Sequence, residues 1–359
     1  MKKLNIKSQI KDYEVFFEED FLFFSKFKTI RNKAVIIDQN VYKFYSELID
    51  ETFEKDEIFL IEAIEENKSI RMLEEIYDWL TLRNAKRNLT LISIGGGITQ
   101  DLTGFVASTL YRGIKWLFVP TTLLAQTDSC IGSKTSLNYK SFKNLLGTFY
   151  PPDELYITSL FHDTLQQRDI HSGLGEIIKF QIMEETYPKD LKKCIDVIEK
   201  CKEDKNFLLN QIYKNLDIKR SYMKGDEFDM GRRNLLNYGH CFGHALETAS
   251  NYHIPHGIAV NIGIIFANLV ALGRNLISKD NFNLISEKMN LPNIFMDIRE
   301  KDFDENNLLK SIKNDKKRVG KELVVVLPVN NDFVLEKVTD LTEDEFKKTL
   351  VKLKNIIIK

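Results

Sequence analysis

The stretch LTLISIGGGITQDLTGFVA, residues 89–107, decides the reading of the fold. Leu89 to Ile94 is a short, almost wholly apolar run rich in Ile and Leu, the pattern of a strand buried on both faces. Gly95, Gly96 and Gly97 break it at once, and Asp101-Leu-Thr-Gly-Phe-Val-Ala then opens a helix. Strand, glycine turn and helix in that order are one arm of a parallel α/β unit. Successive glycines let a ligand approach the backbone, and the helix start that follows adds partial positive charge, so the turn suits a phosphate or pyrophosphate. The spacing is not GxGxxG, and a tight strand-to-helix turn explains the glycines equally well.

Working outward, short apolar runs recur at Lys33–Asp38, Glu57–Glu62, Trp116–Val119 and, more weakly, Glu154–Thr158. Between them Ile70–Arg83 repeats apolar residues near every 3.6 positions (Ile70, Leu73, Ile76, Leu80), which predicts a helix. The alternation predicts a parallel sheet of Rossmann type, preceded by a hairpin over Leu4–Phe17. After about residue 160 helical patterns dominate: Gly173–Glu185, Leu191–Lys202, Asn206–Lys224, Leu235–Tyr252 and Gly257–Asn275. One strand-like run remains, Glu322–Pro328, with a second short run after Asn330-Asn331. The expected architecture is a Rossmann-like α/β domain over residues 1–164 and a mainly α-helical domain over 165–359. The length of 359 residues fits two domains at about 150 residues each.

Composition narrows the function classes. Lys+Arg of 51 against Asp+Glu of 52 gives a formal net charge of -1, which argues against a nucleic-acid binder. Four cysteines (Cys130, Cys194, Cys201, Cys241) without CxxC spacing lead to the expectation of a reducing, cytoplasmic setting. MKKLNIKSQIKDYE has no apolar run after its lysines, so no secretory signal is expected. The most apolar stretch, Ile258–Gly273, contains Asn261 and Asn268 and reads as a buried core helix rather than a membrane span.

Of the six histidines, His240, His244, His253 and His256 crowd into one short segment. His240 and His244 are spaced i, i+4 and share a helix face, with Glu247 one turn further on, so spacing alone picks these two histidines as a ligand pair for one ion. Polar helix histidines without a ligand remain the alternative. Arg112, Lys134, Lys143, Lys179, Lys219, Arg233 and Lys316 lie among small or apolar residues rather than in charge runs, and Lys134 follows small residues as if pointed into a pocket.

Seven ordered segments then carry a resemblance: GGGITQDLTGFVASTLYRG (95–113), VPTTLLAQTDSCIGSKT (119–135), KNLLGTFYPP (143–152), SGLGEIIKF (172–180), GRRNLLNYGHCFGHALE (231–247), HGIAVNIG (256–263) and DKKRVG (315–320). In these the chain resembles the 3-dehydroquinate synthase family of sugar-phosphate cyclases. The resemblance implies an NAD- and metal-dependent, phosphate-eliminating lyase of the shikimate pathway and aromatic amino acid biosynthesis, typically a homodimer, acting on 3-deoxy-D-arabino-heptulosonate 7-phosphate. It implies metal ligands at Glu176, His240 and His256 for Zn2+ or Co2+, which moves His244 out of the metal shell to a phosphate-side or proton-transfer role. NAD contacts are implied at Asp38, Glu65, Lys68, Gly96, Gly97, Asp101, Thr121, Thr122, Asp128 and Lys143. Substrate contacts are implied at Arg112, Asp128, Lys134, Asn144, Lys179, Lys219, Arg233, Asn237, His244 and Lys316. Gln100, Cys130, Ser133, Gln166 and Gly175 depart from the usual family residues. Gln100 and Ser133 keep in view a cyclase acting on another sugar phosphate, and the shared two-domain architecture keeps in view a metal-dependent polyol dehydrogenase of the same fold.

Overall fold

A computed structural model describes residues 2–140, 142–313 and 323–358. Contacts divide the chain into two compact units, the first made of Met1–Leu165 with Met223–Phe228, the second of Gln166–Tyr222 with Asp229–Lys359. The short segment Met223–Phe228 lies inside the second half of the sequence, yet returns to the first unit. Glu227 anchors it there: its buried carboxylate accepts hydrogen bonds from Ser8 Oγ (2.6 Å), the Gln9 N–H (2.5 Å) and Ser133 Oγ (3.1 Å).

In the first unit the strands are β1 (Lys2–Ile6), β2 (Tyr13–Phe17), β3 (Lys33–Asp38), β4 (Ile58–Ile61), β5 (Thr90–Gly95), β6 (Lys115–Pro120), β7 (Lys134–Tyr139), β8 (Phe142–Phe149) and β9 (Glu154–Ile157). The helices are α1 (Phe24–Lys28), α2 (Gln39–Thr52), α3 (Ile70–Leu82) and α4 (Gly97–Thr109). Seven strands form one sheet in the order β1-β2-β9-β6-β5-β3-β4, with β1 antiparallel to β2 and every other pairing parallel. Residues at alternate positions, Val35, Ile37, Ile92, Ile94, Leu117, Val119 and Tyr156, bury one face against Phe23, Phe24, Phe27, Ile49, Phe53 and Phe161. Phe23 stacks flat on Tyr156 at 5.1 Å. Leu102 and Val106 of α4 are fully buried where that helix packs on β5 and β6.

Among the crossover strands β4, β3, β5, β6 and β9, the chain reverses direction between β3 and β5. In open α/β sheets ligands bind outside the carboxyl ends of the strands at such a switch point. Asp38 ends β3 and Gly95 ends β5, and the pairing of Ile37 with Ile94 sets these two ends side by side. The helix after β5 starts at Gly97, four residues before the position expected from Asp101, so the glycine turn itself forms the helix start. The β7–β8 hairpin was not foreseen. Alternation buries Thr135 and Leu137 on one side of it, but the buried side includes a threonine and the outer side includes Tyr139, Phe142 and Leu145, which hides the pattern in the sequence.

The second unit contains α5 (Gln167–Met183), α6 (Leu191–Glu203), α7 (Lys205–Met223), α8 (His240–Ala249), α9 (His256–Gly273), α10 (Lys279–Ile285), α11 (Glu305–Lys313) and α12 (Glu343–Ile357), with an antiparallel pair β10 (Leu323–Pro328) and β11 (Leu335–Leu341). At its centre is α9, in which every residue from Gly257 to Ala271 is buried. It is the one described helix long and apolar enough to cross a membrane, and 83% of it is buried inside the fold, as expected of a core helix. The helix expected over Leu235–Tyr252 is instead a 3-10 turn, Arg232–Asn237, followed by α8. The break is at Gly239, whose φ of +79° is left-handed and whose Cβ would lie 2.6 Å from the Val260 carbonyl oxygen. Only glycine meets both demands, and the break makes His240 the first residue of α8.

Candidate functional site

In the first unit the switch point gathers several of the sequence candidates. Gly96 is the N-cap of α4 and, having no side chain, leaves the first N–H groups of the helix without the usual side-chain cap. Thr121 N–H bonds the Gly95 carbonyl at 2.9 Å, and Thr122 Oγ1 accepts the Ala125 N–H at 3.2 Å, which holds the loop after β6 beside the glycines. Asp38 caps α2 by accepting the Asn40 N–H at 2.9 Å. Burial raises its carboxyl pKa, against the pull of the Asn40 hydrogen bonds.

Beside this turn, Lys68 Nζ lies 2.5 Å from Asp101 Oδ2 and 2.6 Å from Asn144 Oδ1. Ser136 donates its N–H and Oγ–H to the two Asp101 oxygens at 2.9 Å each. Asn138 Nδ2 donates to Glu65 Oε1 at 2.9 Å, and Lys143 Nζ is 3.8 Å from the same oxygen. Five implied residues, Glu65, Lys68, Asp101, Lys143 and Asn144, are therefore one polar web, with Ser136 and Asn138 as connectors that sequence reasoning did not single out. Arg112 and Lys134 are exposed and Asp128 is half-buried on the turn Ala125–Ser129. Lys134 opens β7 at an exposed position. Ser133, just before it, sits at φ +65°, a left-handed conformation ordinarily filled by glycine, and its hydroxyl reaches Glu227.

The second unit holds the histidine set. Glu176 on α5 is wholly buried. Its Oε1 lies 3.3 Å from His240 Nε2 and 3.4 Å from His256 Nε2, and its Oε2 lies 2.6 Å from Lys179 Nζ, one helical turn further along α5. Lys179 is itself fully buried. Neither Glu176 oxygen accepts a hydrogen bond of good geometry among the described residues. Nitrogen atoms of His240, His244 and His256 come within 4.8 Å of one another, His244 being the exposed member. The structure thus brings together both the pair chosen by spacing and the trio implied by resemblance.

A close helix crossing makes this possible. A Cβ on Gly257 would stand 1.7 Å from the Ser172 carbonyl oxygen, so α9 touches α5 backbone to backbone, and the neighbours His256 and Glu176 follow from that contact.

The electrostatics follow from the same packing. Burial alone would raise the Glu176 carboxyl, but the Lys179 ammonium and then His240 hold it well below the usual carboxylate range. Burial, reinforced by Lys179, lowers His240 and keeps its imidazole neutral. Burial opposes protonation of His256 too, but Glu247 and Glu176 outweigh it and push its pKa up to about 9. A buried carboxylate with two imidazole nitrogens turned toward one oxygen is a hard–borderline donor set that fits a divalent cation and leaves further positions for other ligands.

Of the remaining candidates, Lys219 on α7 and Arg233 on the 3-10 turn are buried cations. Asn237 is half-buried and donates to the Asn234 carbonyl at 2.8 Å. Lys316, with the segment 315–320, lies outside the described residues.

Both halves of the sequence match known family models, 3-dehydroquinate synthase N-terminal over residues 58–172 and 3-dehydroquinate synthase C-terminal over residues 173–318. The chain belongs to the 3-dehydroquinate synthase family. A 3-dehydroquinate synthase of Campylobacter fetus subsp. fetus is 38% identical over 331 residues, covering 90% of this chain and 92% of the relative. The fold of this 3-dehydroquinate synthase family member also recurs in solved structures. One is 2-epi-5-epi-valiolone synthase from Streptomyces hygroscopicus subsp. jinggangensis 5008 with NAD+ and Zn2+ bound (TM-score 0.81, 21% identity, 96% of this chain and 97% of the other). Another is 2-deoxy-scyllo-inosose synthase complexed with carbaglucose-6-phosphate, NAD+ and Co2+ (TM-score 0.80, 22% identity, 99% of each chain).

Proposed function

We propose that this chain converts 3-deoxy-D-arabino-heptulosonate 7-phosphate to 3-dehydroquinate with release of phosphate, using NAD and a divalent metal, Zn2+ or Co2+. The observation that supports this most is the convergence of Glu176, His240 and His256 in a chain that matches the family across both halves. These three residues would hold the metal. The uncapped N-terminus of α4, with Gly96, Gly97, Thr121 and Thr122 around it, would take the NAD pyrophosphate, and Asp38 at the end of β3 suits a ribose hydroxyl. When bound, NAD supplies reversible hydride transfer and the metal lowers the pKa of a coordinated alcohol and polarises a carbonyl.

The remaining roles belong to the side chains. Glu176 carries negative charge into a buried site and Lys179 balances it through the second oxygen, so the pair adds little net charge. His240 stays neutral and keeps its lone pair available. Buried Lys219 and Arg233 are matched to an anionic substrate, since a carboxylate and a phosphate both favour charge-assisted hydrogen bonds from such groups. His244, exposed at the edge of the cluster, is placed to exchange protons with solvent or with a phosphate group. Clamping both ends of the substrate would lower the entropy cost of the later ring closure.

The test is phosphate release by purified protein given NAD, Zn2+ and the heptulosonate phosphate, with glucose 6-phosphate and sedoheptulose 7-phosphate in parallel. Phosphate release from the heptulosonate with no accumulation of NADH is the expected result. Activity confined to one of the other two sugars would replace this reading by that of a sister cyclase. Accumulating NADH would replace it by a dehydrogenase.

A further inference from the structure

Each imidazole has two nitrogens, and only an unprotonated one can ligate a cation. His240 and His256 both turn Nε2 toward Glu176 Oε1, so a ligand role requires the proton of each ring on Nδ1. Both Nδ1 atoms meet an acceptor, and the two acceptors differ. His240 Nδ1 is 3.2 Å from the Tyr238 carbonyl oxygen, a neutral partner. His256 Nδ1 is 2.8 Å from Glu247 Oε2, a carboxylate only 3% exposed. Glu247 reaches that position because His240, His244 and Glu247 are spaced i, i+4, i+7 on α8 and share the face toward the start of α9. One helix therefore contributes a candidate ligand of its own and the partner of the ligand on the next helix.

We propose that Glu247 is a positioning residue for the metal centre: its carboxylate fixes the Nδ1–H tautomer and ring orientation of His256 and makes its Nε2 the stronger donor of the two imidazoles. The physical basis is the general coupling between a ligating histidine and the acceptor behind it, whose removal typically weakens metal binding about 10- to 100-fold. The Tyr238 contact is to a backbone carbonyl that no substitution removes, whereas the Glu247 carboxylate can be altered by substitution. The inference rests on the metal reading above, and the following measurement separates the two.

Zn2+ and Co2+ affinities are measured by competition against a chromophoric chelator for the full chain and for Glu247→Ala, Glu247→Gln and His256→Ala, with circular dichroism to establish folding of each metal-free protein. Expected is strong binding by the parent, roughly 10- to 100-fold weaker binding by folded Glu247→Ala, and an intermediate value for Glu247→Gln, which keeps an acceptor but loses the charge. The visible band of the Co2+ form should shift in Glu247→Gln, a change that a purely structural role would not produce. A parent that binds no metal overturns the metal reading itself. A parent that binds, with Glu247→Gln matching it in both affinity and Co2+ spectrum, overturns the role of Glu247 alone. Should Glu247→Ala fail to fold, Glu247→Gln carries the test by itself.

Discussion

The two candidate regions handle buried charge in opposite ways. At the switch point of the first unit, the charged members of the polar web are answered by neighbours: Lys68 by Asp101 and Asn144, Asp101 by Ser136, and Glu65 by Asn138 and Lys143. In the second unit Glu176 and Lys179 are fully out of water, and the carboxylate has an ion pair and two imidazoles close by but no well-aligned hydrogen bond. The first arrangement pairs its charges internally, beside a helix start that has no side-chain cap. The second is costly to bury, and a cation at the proposed metal site would satisfy the Glu176 oxygens. The difference predicts that damage in the second unit is felt in folding and in metal binding together, whereas damage in the first is felt mainly in nucleotide binding.

The strongest attempt to break this contrast is removal of a donor. His256→Ala should lower Zn2+ affinity by at least about 100-fold, since the site would lose one of the three protein ligands proposed for it, and should abolish phosphate release; retained zinc after dialysis with full turnover would refute the ligand assignment. Glu176→Ala leaves Lys179 buried without its carboxylate, so denaturant unfolding of the metal-free protein should show a loss of about 3–5 kcal/mol.

Gly257→Ala tests the backbone contact rather than the donors. The added Cβ, 1.7 Å from the Ser172 oxygen, must push α9 from α5. Overpacking of this kind costs about 1–3 kcal/mol. A thermal scan should register that loss, and chelator competition should show weaker metal binding, because Glu176 and His256 are the neighbours of the contact.

In the first unit, Lys68→Ala removes contacts to Asp101 and Asn144 of a kind worth about 1.5–3 kcal/mol each. Nucleotide affinity, read by fluorescence or calorimetry, should fall about tenfold, with Zn2+ affinity unchanged; a parallel fall in Zn2+ affinity would show that the contrast is false. The smallest effect is expected for Ser133→Gly. It relieves a left-handed residue, worth about 1 kcal/mol, and loses one of the three described donors to Glu227. The two changes offset, and chemical unfolding should move by less than about 1 kcal/mol.

Much of this contrast is legible in the residues. The apolar runs at 33–38, 90–95 and 115–120 are strands because residues buried on both sheet faces must be continuously apolar. The β7–β8 hairpin escaped, although it carries Lys134, Lys143 and Asn144, because β8 exposes Phe142 and Leu145 as well as Asn144, so no alternation of apolar and polar residues marks it, and its register is set by pairing across the turn. The break at Gly239 escaped because a glycine inside a helical pattern is ambiguous until the neighbouring helix is known to press on it. Glu247 stands out in the sequence as one turn beyond His244 on the same helix face, but its pairing with His256 Nδ1 was not legible there. Glu227 does not stand out, since nothing in its acidic neighbourhood separates it from a solvated surface residue.

By itself the sequence determined the α/β and helical halves, the glycine turn at a strand end, and the family, because burial periodicity and ordered motifs are local in the chain. Which histidines share a carboxylate was decided only by tertiary structure. His240 and His244 are neighbours along one helix, whereas Glu176 lies on another helix 64 residues upstream of His240. No local pattern encodes that approach; it depends on α5 and α9 touching at glycine and on Lys179 making a buried carboxylate tolerable.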